Sequence, residues 1–388
     1  MNSITRRAFL ATSAASTIAL RSPFVSAQSA IPGKLLLVGT QTGATSKGVY
    51  AYGFDSVSGE LKKVGLAAAA ANPTFLIMTP DRKTVIVANE LEEFGGQRSG
   101  AVSTFSLDPA TGTMTQLSQQ ASKGGSPCHV TTDQTGASVF AANYSGGSAI
   151  SFKLEGDRHL SDPVSFEQYT GHGPNAERQE APHAHRVTVS PDNKYLLVND
   201  LGLDLIHVYA LDAATGKLTP ADTPAWKAPA GVGPRTLHFH PNGKFAYCVT
   251  EMGCQIIVLK WDADTATLTT GQILKLPTQP HPGEVTGCDI VLDKTARFGY
   301  YINRGDDFIA TIAVSADGSR LTFQRRSSCG GKIPRHLTLD PTERFLLVAN
   351  QASDNIAVFP RDVTSGQLSE IGKSYPLSKP QCLLFPRG

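Results

Sequence analysis

The chemistry open to this chain lies in a set of imidazole, guanidinium and carboxylate side chains that return at fixed places in a repeated phrase. His129, His185 and His336 can take or give a proton near neutral pH. Arg235, Arg304 and Arg335 can hold a carboxylate, a phosphate or an oxyanion through paired N–H donors. Glu90, Asp200, Glu251 and Asp289 can accept protons or hydroxyl hydrogen bonds, and Gln351 offers a neutral amide. Acid–base groups beside cationic donors are the equipment for adding water to a polarised carbonyl. Nucleophilic catalysis has less support: no Gly-x-Ser-x-Gly turn occurs, and no cysteine stands in a catalytic context. His183 and His185 form a His-x-His pair of the kind zinc sites use. No third or fourth ligand has a recognisable spacing, so neither a metal nor a cofactor is expected.

The elements that must position these residues come from the repeat. A short apolar run, a polar turn, a second apolar run and a closing Asn or Thr recur at 75–89, 129–143, 185–199, 236–250, 289–303 and 336–350. The closing residues lie 54, 56, 51, 53 and 47 positions apart. A seventh copy is divided between the termini, with Gln381 to Phe385 as its first run and Leu35 to Thr40 as its second. A third and a fourth strand follow each closing residue, so each unit reads as four short strands. Units of this length with four strands each, closing through both ends of the chain, predict an all-β seven-bladed β-propeller over 28–388.

In such a blade the loop before the innermost strand and the loop after the second strand open on one face. One register position there carries Gln41, Glu90, Tyr144, Asp200, Glu251, Arg304 and Gln351. The other carries the pairs Thr74-Phe75, Cys128-His129, Ala184-His185, Arg235-Thr236, Cys288-Asp289 and Arg335-His336. Together they predict a mixed-charge ring around one channel mouth, suited to an anionic or polyhydroxylated ligand; a purely structural salt-bridge ring has the same composition. The long connection 171–185 rises on the same face and can wall the site.

The first 27 residues read differently. Arg6-Arg7, a modest apolar stretch and Val25-Ser26-Ala27 have the order of a twin-arginine export signal, so the translocase is an expected partner and the periplasm or exterior the expected location. Removing the three arginines of this leader leaves 32 basic residues against 33 acidic ones, a balance that excludes nucleic acid as a partner. No later segment is long and apolar enough to span a membrane, and a monomer is expected. Six cysteines make no disulfide framework, although Cys248 and Cys254 flank one short hairpin where a bridge is conceivable.

Several long motifs then identify a family resemblance. Gly173 to His185 (GPNAERQEAPHAH), Gly233 to Glu251 (GPRTLHFHPNGKFAYCVTE), Tyr301 to Asp307 and Ile333 to Gln351 closely resemble the lactonase family of seven-bladed propellers. That family includes bacterial 6-phosphogluconolactonases and the carboxy-cis,cis-muconate cyclases, and the likeness covers the whole chain after the leader. The resemblance implies a small-molecule lactone or sugar acid as substrate and places the catalytic set at His185, Arg235, Glu251 and Arg304. Glu251 is expected to act as general base on water, His185 as proton shuttle, and the two arginines as clamps on the carbonyl and on a substrate anion. His129, His183, Asp200, Asp289, Arg335, His336, Glu90 and Gln351 are expected to contact substrate. A non-catalytic binding propeller and a lactone-forming cyclase are the alternatives. Two positions depart from the family pattern: Thr236 stands where histidine is common, and Cys288-Asp289-Ile290 where Ala-Glu-Ile is common.

Overall fold

The computed structural model describes residues 31–369 and 372–386, so the export signal expected at 1–27 lies outside the described residues. It contains seven four-stranded antiparallel sheets and one two-stranded ribbon, Glu93–Phe94 with Gln97–Arg98. Blade 1 takes its innermost strand, Pro380–Leu384, from the end of the chain. Its outer three, Lys34–Thr40, Gly48–Phe54 and Leu61–Ala69, come from the start. Blades 2 to 7 run outward in chain order from the inner strands Pro73–Met78, Pro127–Thr132, Ala184–Val189, Pro234–Phe239, Thr286–Leu292 and Pro334–Leu339. The ring therefore closes through the two termini, as the split seventh repeat requires.

The second strand of each blade reads as a continuous apolar run because both of its faces are covered. Successive strand residues point to opposite faces. In Phe345–Asn350, Leu346 packs into the cluster shared with blade 6, and Leu347 into the cluster shared with blade 1. Seven such clusters occur, one in each blade-to-blade interface. Aromatic rings fill the wider parts, with Tyr52, Phe105, Phe152, Tyr247 and Tyr300 almost wholly buried. At about 25 cal/mol per Å² of apolar surface, burial at these interfaces is what holds the circle shut.

The closing polar residues tie the upper-face loops to the blades. Asn89 Nδ2 donates to the Ala71 carbonyl (2.7 Å), Asn143 Nδ2 to Ser122 (2.9 Å) and Asn350 Nδ2 to Cys329 (3.0 Å). This is a structural duty, and it explains why Asn recurs where the core would otherwise refuse a polar side chain.

Candidate functional site

Each inner strand carries a β-bulge at the same place in the repeat, after its first residue in six blades and after its second, Gly287, in blade 6. The register skips Thr74, Cys128, His185, Arg235, Cys288, Arg335 and Gln381, one residue in each of the seven blades. A bulge sets two successive residues against one on the partner strand and re-aims their side chains. Bulged residues and their successors together line most of one pocket on the propeller axis, about 430 Å³ including its open mouth.

The strongest electrostatic feature sits on blades 4 to 6. Glu251, 3% exposed, receives Arg235 Nε at 2.9 Å on Oε2. Arg304 Nη2 lies 2.8 Å from the same oxygen as an ion-pair contact without hydrogen-bond alignment, and its buried Nε has no partner among the described residues. Arg178, from the long connection before blade 4, donates to Glu251 Oε1 and bridges outward to Glu284 at 2.8 Å. Burial opposes ionisation of Glu251, but Arg304 and then Arg235 outweigh it and hold the carboxyl far below its ordinary range. Arg235 Nη1 also donates to the Cys288 carbonyl.

His185 borders this cluster. Its ring makes no hydrogen bond to described residues and lies edge-on to Tyr144, with centroids 5.7 Å apart. Burial, then the nearby Arg235, push its pKa well below 6.5, so the imidazole is neutral at pH 7. Further round the channel, burial and Arg186 likewise lower His129, while burial is the main cause that brings His336 down to about 4. Phe75 packs between the last two rings, with centroids 4.3 Å from His129 and 5.8 Å from His336. Asp289 accepts from His238 Nε2 (3.0 Å) and lies 3.8 Å from Arg186 Nη1; these partners keep its carboxyl ionised against burial.

The structure brings together His185, Arg235, Glu251 and Arg304, and it gathers His129, Asp289, Arg335, His336 and Glu90 around the same pocket. Gln351 stands higher, in an adjoining cavity. Two expectations are corrected. Asp200 is not at the mouth: it pairs with Ala184 and takes the closing position that Asn89 and Thr250 hold in their blades. Its Oδ1 accepts from the amides of His183 (2.9 Å) and Leu203 (3.1 Å), and Leu201 occupies the mouth register instead. The bulged pair of blade 4 is accordingly His185-Arg186 rather than Ala184-His185. Aligning Pro191 and Lys194 on Pro241 and Lys244 gives this register from sequence; counting back from Asn199 slips it by one, and Arg186 is missed.

His183 is not among the residues that line the axial pocket. It stacks on Tyr144 (4.6 Å between centroids), with its ring nitrogens 3.2 Å from the Tyr144 carbonyl and 3.2 Å from Glu180 Oε1. Among the described residues no three His, Cys, Asp or Glu side chains are grouped to hold a metal. Cys248 and Cys254 are both free: Cys254 Sγ donates to the Val285 carbonyl (3.0 Å), and Cys248 lies in the core between blades 4 and 5. Burial raises the thiol of Cys128, which lines the pocket, and this makes it a poor nucleophile. Arg178 is the other residue the sequence did not single out; it stands inside the motif that begins at Gly173.

The comparisons agree with this architecture. The family profile described as "Lactonase, 7-bladed beta-propeller" matches residues 35–385. The chain is 34% identical over 348 residues to the 6-phosphogluconolactonase of Bacillus subtilis, covering 90% of this chain and 97% of that one. It is 28% identical over 336 residues to the 6-phosphogluconolactonase of Formosa agariphila, covering 84% of this chain and 91% of the other. The solved structure of the periplasmic gluconolactonase of Pseudomonas aeruginosa superposes with a TM-score of 0.84 at 34% identity, over 91% of this chain and 98% of that one. The chain is a member of the seven-bladed β-propeller lactonase family.

Proposed function

We propose that the protein hydrolyses a sugar lactone on the blade 4–6 side of the axial pocket, where His185 and Arg235 line it. The observation that carries this is a neutral His185 beside three guanidiniums organised by one buried carboxylate. A neutral imidazole is the right state for a general base at neutral pH. Glu251 is poorly suited to that task, because the arginines that depress its pKa also remove its basicity. The roles expected from the family resemblance are therefore exchanged: His185 is the base, and Glu251 positions the arginines.

In this scheme His185 takes a proton from water as the water oxygen attacks the lactone carbonyl carbon. The carbonyl π-bond becomes an oxyanion, faced by Arg235 Nη2, which makes no hydrogen bond among the described residues, while Arg304 adds positive charge beside Glu251. Collapse re-forms the carbonyl and breaks the ring C–O bond, and the leaving oxygen takes the proton back from His185. The hydroxy acid then ionises and releases one proton to solvent. Removing a single oxyanion donor costs about 10²–10³ in kcat in enzymes of this kind of chemistry.

Export fits the reading of residues 1–27 and is supported by the periplasmic relative. No helix of the described residues is long and apolar enough to cross a membrane. The test is a pH-stat measurement with purified protein against a panel of aldonolactones. Proton release well above the spontaneous rate is expected; release at the blank rate for every lactone would leave a binding propeller and overturn the assignment.

A further inference from the structure

Hydrolysis at blades 4 to 6 leaves the opposite half of the pocket without a role. There blades 7, 1 and 2 present Arg335, Gln381, Thr74 and Glu90 to the same cavity, which continues upward past Gln41 and Gln351. These side chains are paired, but each pair uses only part of its hydrogen-bonding capacity. Arg335 Nε donates to Gln381 Oε1 (3.0 Å), Thr74 Oγ1 to Glu90 Oε2 (2.6 Å), and Gln351 Nε2 to Gln41 Oε1 (2.8 Å). Both terminal nitrogens of Arg335, the amide nitrogen of Gln381 and Oε1 of Glu90 make no hydrogen bond among the described residues.

Unused donor nitrogens and an unused acceptor oxygen therefore share one cavity. Hydroxyl groups use both kinds, since each donates one hydrogen bond and accepts others. A phosphate monoester only accepts, and it carries about −1.5 to −2 charges at pH 7. On this side it would meet the Glu90 carboxylate, a like charge, beside the Arg335 guanidinium, while the nearby Arg235 and Arg304 are already paired with Glu251. Like charges brought together across an interface discriminate strongly between partners.

We propose that this blade 7–1–2 side is a polyol subsite that receives the hydroxylated tail of the lactone, and that Glu90 selects a free terminal hydroxyl over a phosphorylated one. The proposal rests on the hydrolytic function above and adds the substrate class to it.

The test compares kcat/KM for glucono-1,5-lactone and its 6-phosphate in the wild type, in Glu90→Gln and in Arg335→Gln. The wild type is expected to favour the unphosphorylated lactone by about tenfold or more. Glu90→Gln should move that ratio about tenfold toward the phosphate ester, and Arg335→Gln should move it the other way. Opposite shifts from two neutral replacements in one pocket are not produced by general loss of folding. A wild type that prefers the phosphate ester, or a ratio unmoved by Glu90→Gln while hydrolysis persists, removes the subsite alone. If the wild type hydrolyses neither compound nor any other lactone, the hydrolytic function fails and the subsite with it.

Discussion

Replacing Glu251 by glutamine tests the exchange of roles directly. The side chain keeps its shape but loses its charge in a place that is 3% exposed and faces three guanidiniums. The amide oxygen, in place of Oε2, can still accept from Arg235 and remain beside Arg304, whereas the amide nitrogen in place of Oε1 cannot accept from Arg178. A lost hydrogen bond between charged groups is worth about 1.5–3 kcal/mol. Stranding the arginines altogether raises the cost to about 3–5 kcal/mol, which a denaturant titration would read as a lower midpoint. Activity should fall by about 10²–10³ in kcat, because Arg235 is no longer held in place to face the oxyanion.

The decisive readout is the acid limb of kcat/KM. In the wild type activity is lost as pH falls through the folded pKa of His185, which lies below 6.5. Glu251 raises that pKa, while Arg235, Arg335 and Arg304 lower it. Without the carboxylate the limb should move to lower pH. A limb that stays in place, or moves to higher pH, would refute the assignment of His185 as base with Glu251 behind it.

Three further outcomes are expected. His185→Gln should lower kcat by about 10²–10⁴ with a much smaller change in KM, measured by stopped-flow pH indicator assay. A Cβ at Gly202 would lie 1.9 Å from the Ala181 carbonyl oxygen and 2.8 Å from the His183 amide, so Gly202→Ala must displace the connection that carries Arg178 and His183. Its KM should rise more than its global stability falls. Global stability should decline as pH drops below about 6.5: His129, His185, His238 and His336 stay neutral when folded but bind protons when unfolded. Each contributes on the order of 1 kcal/mol per pH unit until its folded pKa is reached, and below about pH 4.5 the depressed Glu251 and Asp289 add to the loss. Equilibrium unfolding at pH 7, 6 and 5 measures the slope, and a flat profile contradicts the buried neutral histidines.

The sequence by itself determined the blade count, the closure through the termini and most of the channel-facing positions. These are local consequences of strand alternation and turn chemistry, so they repeat with the phrase that encodes them. It also carried the correct register of blade 4, in the spacing of Pro191 and Lys194, although counting from Asn199 slipped it and put Asp200 in a place that Leu201 holds. The tertiary structure alone decided which charges meet. Arg178 and Glu251 are 73 residues apart, and nothing in either local pattern marks them as partners. The direction of each pKa is collective in the same way: three blades and one long loop deliver guanidiniums to one point, where they hold Glu251 ionised and, together with burial, hold His185 neutral. A repeat can fix where a side chain points, but electrostatics depends on distances between residues that only the closed ring brings together.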